Sequence, residues 1–146
     1  MSLNADPAFN TAWVGVANGP LSAPVLGRVV GMLAARADCP IDRLDDALLV
    51  ADAVAAKAGS FTDDGHIRVQ VVARTGSVEL HVGPLLSGGA HDLIASAALP
   101  GVGNVLERVA DELEPQDSGG DEFLLIRLEF DAQRPSTTDR MESDVT

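Results

Sequence analysis

The residues with the clearest potential for chemistry lie in one predicted helix, LLVADAVAAKA, at positions 48–58. Asp52 and Ala56 are four residues apart, so both project from the same helical face, one turn from each other. A carboxylate on such a face could help to hold a metal ion, but Ala56, where a second ligand would be expected, offers only a methyl group. The alternative is that Asp52 is a solvated acid on an alanine-rich helix, with Lys57 or Arg43 as its ion-pair partner.

Two glycine-bearing loops are the second feature that could carry chemistry. The segment PGVGN places Gly101 and Gly103 directly before a predicted helix, whose free N–H groups and dipole could hold a phosphate. The segment GPLLSGG, which ends in Gly88 and Gly89, follows a predicted strand. Loop geometry explains glycines at helix starts more often than nucleotides do, so both interpretations stay open.

The remaining reactive side chains indicate no further site. His66, His81 and His91 show no metal-ligand spacing with one another or with Cys39, so no zinc site can be written. Cys39 is the single cysteine, which excludes an intrachain disulfide, and its neighbours offer nothing that would activate a thiolate. Ser87 lacks both a nucleophile elbow and a neighbouring base.

Composition excludes several classes of function. The chain has 146 residues and a formal net charge of −12, from 22 acids and 10 bases, which argues against direct nucleic-acid binding. No apolar run is long enough to span a membrane, and the N-terminus does not resemble a signal peptide. We therefore expect a cytoplasmic protein with one domain over residues 1–131. Residues 132–146 are polar and are expected to form a disordered tail.

The hydrophobic pattern predicts the order β-α-α-β-β-α-β. A strand covers 12–19 and ends at an Asn-Gly turn, and helices follow from Ser22 and over 42–58. The remaining predicted elements are strands at 67–73 and 78–82 joined by a turn at 74–77, a loop at 83–92, helices at 92–97 and 104–113, an acidic loop at 114–122 and a strand at 123–130. Helices grouped with hairpin-connected strands predict an α+β fold. Its architecture would be a two-layer sandwich with the helices on one face of a mixed, largely antiparallel sheet.

This order of features resembles the Bergerat-fold, histidine-kinase-like ATPases, and most of all the small bacterial anti-sigma-factor serine kinases. The resemblance runs from about Trp13 to Phe130 and depends on three segments, LLVADAVAAKA, VELHVGPLLSGG and GVGNVLERVADEL. It implies that Asp52 stands at the general base and Ala56 at the magnesium-binding asparagine. The residues that it implies at the nucleotide are Gly88, Gly89, Gly101, Gly103 and Asn104.

Three departures from the family pattern imply a degenerate site. Ala56 offers no oxygen to magnesium, and Pro84 or a neighbour replaces the aspartate that would bind adenine. Asp52 is also one methylene shorter than the usual glutamate. ATP binding is therefore expected to be weakened or lost, and magnesium binding is not expected.

The resemblance implies a regulator that acts by binding a protein partner. That partner would be a sigma factor or an anti-anti-sigma factor of the small STAS-domain kind. Three alternatives stay open: an active ATP-dependent serine kinase, a structural module that binds no nucleotide, and a binder of another small molecule in the former nucleotide pocket. A homodimer is also left open.

Overall fold

The computed structural model describes residues 10–101 and 103–130, which fold as two layers. One layer is a five-stranded sheet of order β1-β2-β3-β7-β6, in which every pairing is antiparallel. The strands of the chain are Asn10–Ala17 (β1), His66–Arg74 (β2), Ser77–Leu85 (β3), Ala98–Leu99 (β4), Gly103–Asn104 (β5), Glu112–Ser118 (β6) and Asp121–Glu129 (β7). The helices are Ser22–Arg36 (α1), Ile41–Lys57 (α2), Gly89–Ser96 (α3) and Val105–Val109 (α4). The predicted α+β class, with helices packed on a sheet, is confirmed.

The core lies between the helices and one face of the sheet. Side chains alternate along each strand, so Val69, Val82 and Leu124 stand side by side across three neighbouring strands and are buried. The helices contribute small and branched aliphatic side chains, as a composition with 3% aromatic residues requires. The described residues form one continuous hydrophobic cluster, and none of their helices is long and apolar enough to cross a bilayer.

Helix α2 lies close to its neighbours because alanines face the core. Its buried residues are Ala47, Val50, Ala51, Val54 and Ala55. Leu44 and Leu48 flank this buried face and are only half-buried. Asp52 and Ala56 face away from the core, and both are exposed.

The predicted acidic loop at 114–122 is wrong, because residues 112–118 form β6 at one edge of the sheet. The segment alternates, but its outward positions are polar and only Leu113 is a large apolar residue, so a strand pattern is hard to recognise. Gly119 and Gly120 both have positive φ and close a two-residue hairpin to β7. Pro115 is compatible with a strand here because β6 lies at an edge.

The predicted helices at 92–97 and 104–113 have wrong boundaries. The first begins earlier, at Gly89, and β3 extends to Leu85 through an irregular pairing, so the predicted loop at 83–92 is shorter. The second ends at Val109, because the Asp111 backbone N–H donates to the Arg127 carbonyl at 2.8 Å and draws the chain into the sheet. Pairing with β7 therefore replaces half of the expected helix. The predicted tail at 132–146 lies outside the described residues.

Cys39 is held as a neutral thiol, and we expect it to react slowly. Burial raises its pKa to about 11, and its Sγ donates to the Pro40 carbonyl at 3.3 Å. At pH 8 a thiol-specific disulfide reagent should modify the folded protein about 100-fold more slowly than the urea-unfolded chain, because the reagent needs the thiolate. Equal rates for the two states would contradict this prediction.

Candidate functional site

A small cleft opens between the exposed face of α2 and the base of the β4–β5 hairpin. Its volume is about 190 Å³, below the range of about 300–1,000 Å³ that is usual for small-molecule pockets. Of the seven residues that line it, Asp52 and Lys57 are charged and the rest are apolar. The apolar residues are Leu49, Ala53, Ala56, Ala97 and Val105.

The cleft brings Asp52 to the region where the sequence predicts a phosphate loop. Ala97 precedes β4 and Val105 follows β5, and the Val105 backbone N–H donates to the Ala97 carbonyl at 3.0 Å, which closes the base of the hairpin. The Asp52 carboxylate makes no hydrogen bond or ion pair with the described residues. Arg43, one suggested partner, instead binds Asp46 and Asp111 at 2.7 and 2.6 Å.

Gly101 and Gly103 have a conformational reason to be glycine. They lie in and beside the turn of the short hairpin, with φ of 77° and 97°, a region that side chains other than glycine rarely adopt. Leu99 pairs with Gly103, and Ala98 pairs with Asn104. The two glycines therefore form a tight turn near the cleft, and neither of them lines it.

The Asn104 side chain holds this segment together through both of its polar atoms. Its Oδ1 accepts from the Glu107 backbone N–H at 3.1 Å, which caps α4, and its Nδ2 donates to the Ile94 carbonyl at 2.6 Å. The side chain thus joins the end of α3 to the start of α4.

Gly88 and Gly89 lie at the start of α3, where two backbone N–H groups already bind a carboxylate. The Glu122 carboxylate accepts from the backbone N–H groups of Gly88 and Ala90 at 2.9 and 2.8 Å. Gly88 has φ of 80°, and a Cβ at Gly89 would lie 3.0 Å from the Leu85 Cβ. The predicted anion site therefore holds a carboxylate of the chain itself. Sequence reasoning missed Glu122, since nothing in its local sequence reveals that it caps a helix 32 residues away.

A larger groove, of about 530 Å³, crosses the face of the sheet opposite the helices. Trp13 lines it on the edge strand β1 and is 77% exposed, and Phe123 lines it on β7. Gly15 lies beside Trp13 on β1, and Gly83, on β3, is buried against the Phe123 ring. The strand prediction did not anticipate the groove, although Trp13 and Gly15 both point to this face by alternation from the buried Val14.

Comparisons with protein families and with curated proteins indicate no function for this chain. A scan against protein-family models found no match for this chain, and a search of curated proteins found no significant match. Among the described residues, no group of three or more His, Cys, Asp or Glu side chains is arranged to hold a metal ion. The two cavities and the side chains that line them are therefore the evidence for function.

Proposed function

We propose that this protein is a regulatory binding protein of the anti-sigma-factor type, which acts by contact with a protein partner and has weakened or lost ATP binding. The observation that carries the proposal is the cleft beside α2. It combines a lone carboxylate, at Asp52, with the methyl group of Ala56 and apolar walls. The partner is a sigma factor or a small STAS-domain anti-anti-sigma factor.

The composition of the cleft supports loss of nucleotide binding. Phosphoryl transfer needs a cation that bridges the phosphates, and Asp52 is the only lining residue with an oxygen-bearing side chain. Lys57 provides one positive charge at the same cleft. A triphosphate with magnesium would need more volume and more polar contacts than these seven residues supply.

Exposed apolar side chains support a protein partner. Leu21, at the start of α1, and Val25 and Met32, within it, occupy one exposed helical face and are 65%, 38% and 57% exposed. Helix α1 contains no acid, although the chain has 22, so this face is apolar and basic on an acidic protein. Such a face suits a partner surface with apolar and acidic side chains.

Titration calorimetry with ATP and magnesium tests the loss of nucleotide binding. We expect no measurable heat, because neither an adenine-reading carboxylate nor a second magnesium ligand is present. A dissociation constant tighter than about 100 μM, which corresponds to roughly 5.5 kcal/mol, would overturn the proposal in favour of an active or regulated nucleotide site.

The substitution Ala56→Asn makes this test sharper, because position 56 is exposed and accepts a larger side chain without repacking. If the cleft is a degenerate magnesium site, the variant gains affinity for ATP with magnesium. The matched control is Ala35→Asn, at an exposed position on α1 away from the cleft. Equal affinity of both variants for ATP with magnesium would contradict the proposal that the cleft is a degenerate magnesium site.

The partner is tested by transcription with purified components from the host. RNA polymerase is assayed with each sigma factor in turn, with and without this protein. Selective inhibition of one sigma factor, relieved by a STAS-domain protein, is the expected result. Inhibition of none, together with no binding of any STAS-domain protein, would favour the structural module as the alternative.

A further inference from the structure

The groove on the open face of the sheet has open floor at Gly15, where a side chain is missing. Gly15 pairs with Arg68, and a Cβ at Gly15 would meet nothing within 4 Å. Gly83, in β3, is buried against the Phe123 ring, so the open part of the floor is at Gly15. Trp13 on β1 and the Phe123 ring, which reaches over β3, are separated by about two strand spacings of about 4.8 Å each, or about 10 Å. A flat molecule of two fused rings fits between them.

The polar side chains around this floor are available for a ligand. Gln70, Gln116 and Ser118 line the groove, and within residues 10–101 and 103–130 none of their side-chain atoms makes a hydrogen bond. No Asp or Glu is among the described residues that line the groove, although the chain carries 22 acids. A few uncommitted polar groups on an otherwise apolar wall are typical of a small-molecule site.

Arg68 supplies a positive charge to the groove. Its guanidinium is held in place by Asp64, which lies outside the groove. Its two Nη atoms donate to the two carboxylate oxygens of Asp64 at 3.2 and 2.7 Å. These hydrogen bonds hold the pKa of Asp64 well below its usual range and raise that of Arg68. A guanidinium has five N–H donors, so three remain for a second carboxylate.

We propose that the open-face groove binds a small organic acid with a flat aromatic body. The rings lie over Gly15 between Trp13 and Phe123, and the carboxylate accepts from Arg68 and a neighbouring amide. This site shares no lining residue with the cleft at Asp52. A test of it is therefore independent of the proposed regulatory function.

The chain has a single tryptophan, which makes the test specific to the groove. The ¹⁵N-labelled protein gives one indole N–H signal, from Trp13, and this signal is followed during titration with indole-3-acetate in about 0.15 M salt. A ligand of about 13 heavy atoms at about 0.3 kcal/mol each binds with a dissociation constant near 1 mM. We expect indole-3-acetamide, the same ring system without the charge, to bind at least about fivefold more weakly.

Three variants distinguish a specific binding site from non-specific adsorption of the probe. Gly15→Leu fills the floor without a clash and should abolish the shift for both probes. Arg68→Gln should reduce the affinity for the acid to that for the amide. Gly27→Ala, a glycine replacement in α1 with equally open space, should bind like the unaltered protein. Circular dichroism and thermal unfolding confirm that each variant is folded.

Three results would overturn the proposal. The first is an indole signal that does not move at about 5 mM indole-3-acetate, several times the expected dissociation constant. The second is equal affinity for the acid and the amide, and the third is unchanged binding by Gly15→Leu. Sedimentation provides a further test, since a dimer that Gly15→Leu dissociates would assign the face to a second copy of this chain.

Discussion

Replacement of Gly83 by alanine is expected to lower the free energy of unfolding by about 3 kcal/mol. Gly83 has φ of 150°, where a side chain is strained. Its Cβ would also lie 2.7 Å from the Phe123 ring and 2.8 Å from the Glu122 carbonyl oxygen. The ring has some freedom to move, but the carbonyl belongs to β7 and is fixed by pairing with β3 and β6.

Urea unfolding followed by circular dichroism measures this loss, and Gly15→Ala is the matched control. Gly15 lies on the same open face, but its Cβ would meet nothing within 4 Å. Alanine there should be neutral or stabilising by up to about 1 kcal/mol, since glycine in a strand costs backbone entropy. Similar stabilities for the two variants would show that the close approach at Gly83 is relieved by small shifts.

Replacement of Glu122 by alanine is expected to cost about 2 kcal/mol, because it leaves two backbone N–H donors at the start of α3 without an acceptor. One of these groups, at Gly88, is exposed and can turn to water. The other, at Ala90, is part-buried, so the loss of its acceptor costs more free energy. Glu122 also joins the sheet to α3, so its removal should loosen the whole segment from 86 to 96.

Hydrogen exchange of the α3 amides checks where this loss occurs, and urea unfolding checks its size. Glu122→Gln keeps an oxygen acceptor and should lose less stability than the alanine variant. Glu114→Ala removes an exposed acid from the neighbouring strand and should change stability by less than about 0.5 kcal/mol. Unchanged exchange at Ala90 in Glu122→Ala would contradict the proposed cap.

The sequence predicted the layers of the fold because apolar residues recur at regular spacing in each major strand and in the first two helices. In β2 and β3 the apolar residues alternate, and the turn at Thr75-Gly76 is set by the pairing of Arg74 with Ser77. Local patterns failed where long-range pairing decides the structure. Leu113 alone cannot indicate a strand, yet its segment is held by β7.

The candidate site was predicted only in part, for a similar reason. The α2 face that carries Asp52 and Ala56 follows from helical spacing, and its nearness to the segment at 97–105 agrees with the expected order of elements. Two long-range bonds, from Asn104 to the Ile94 carbonyl and from the Gly88 N–H to Glu122, are not revealed by spacing along the chain. The open groove is formed from rows across five strands, so no single segment indicates it.

The strand that replaced the expected acidic loop also determines how the sheet meets other molecules. Because β6 is at an edge, its free backbone groups face solvent, where an incoming strand could extend the sheet. The acids Glu114 and Asp117 repel a like-charged strand, and Pro115 has no N–H. The opposite edge strand, β1, carries no charged residue. The negative charge of this chain therefore protects one side of its sheet from self-association and leaves the other side without that protection.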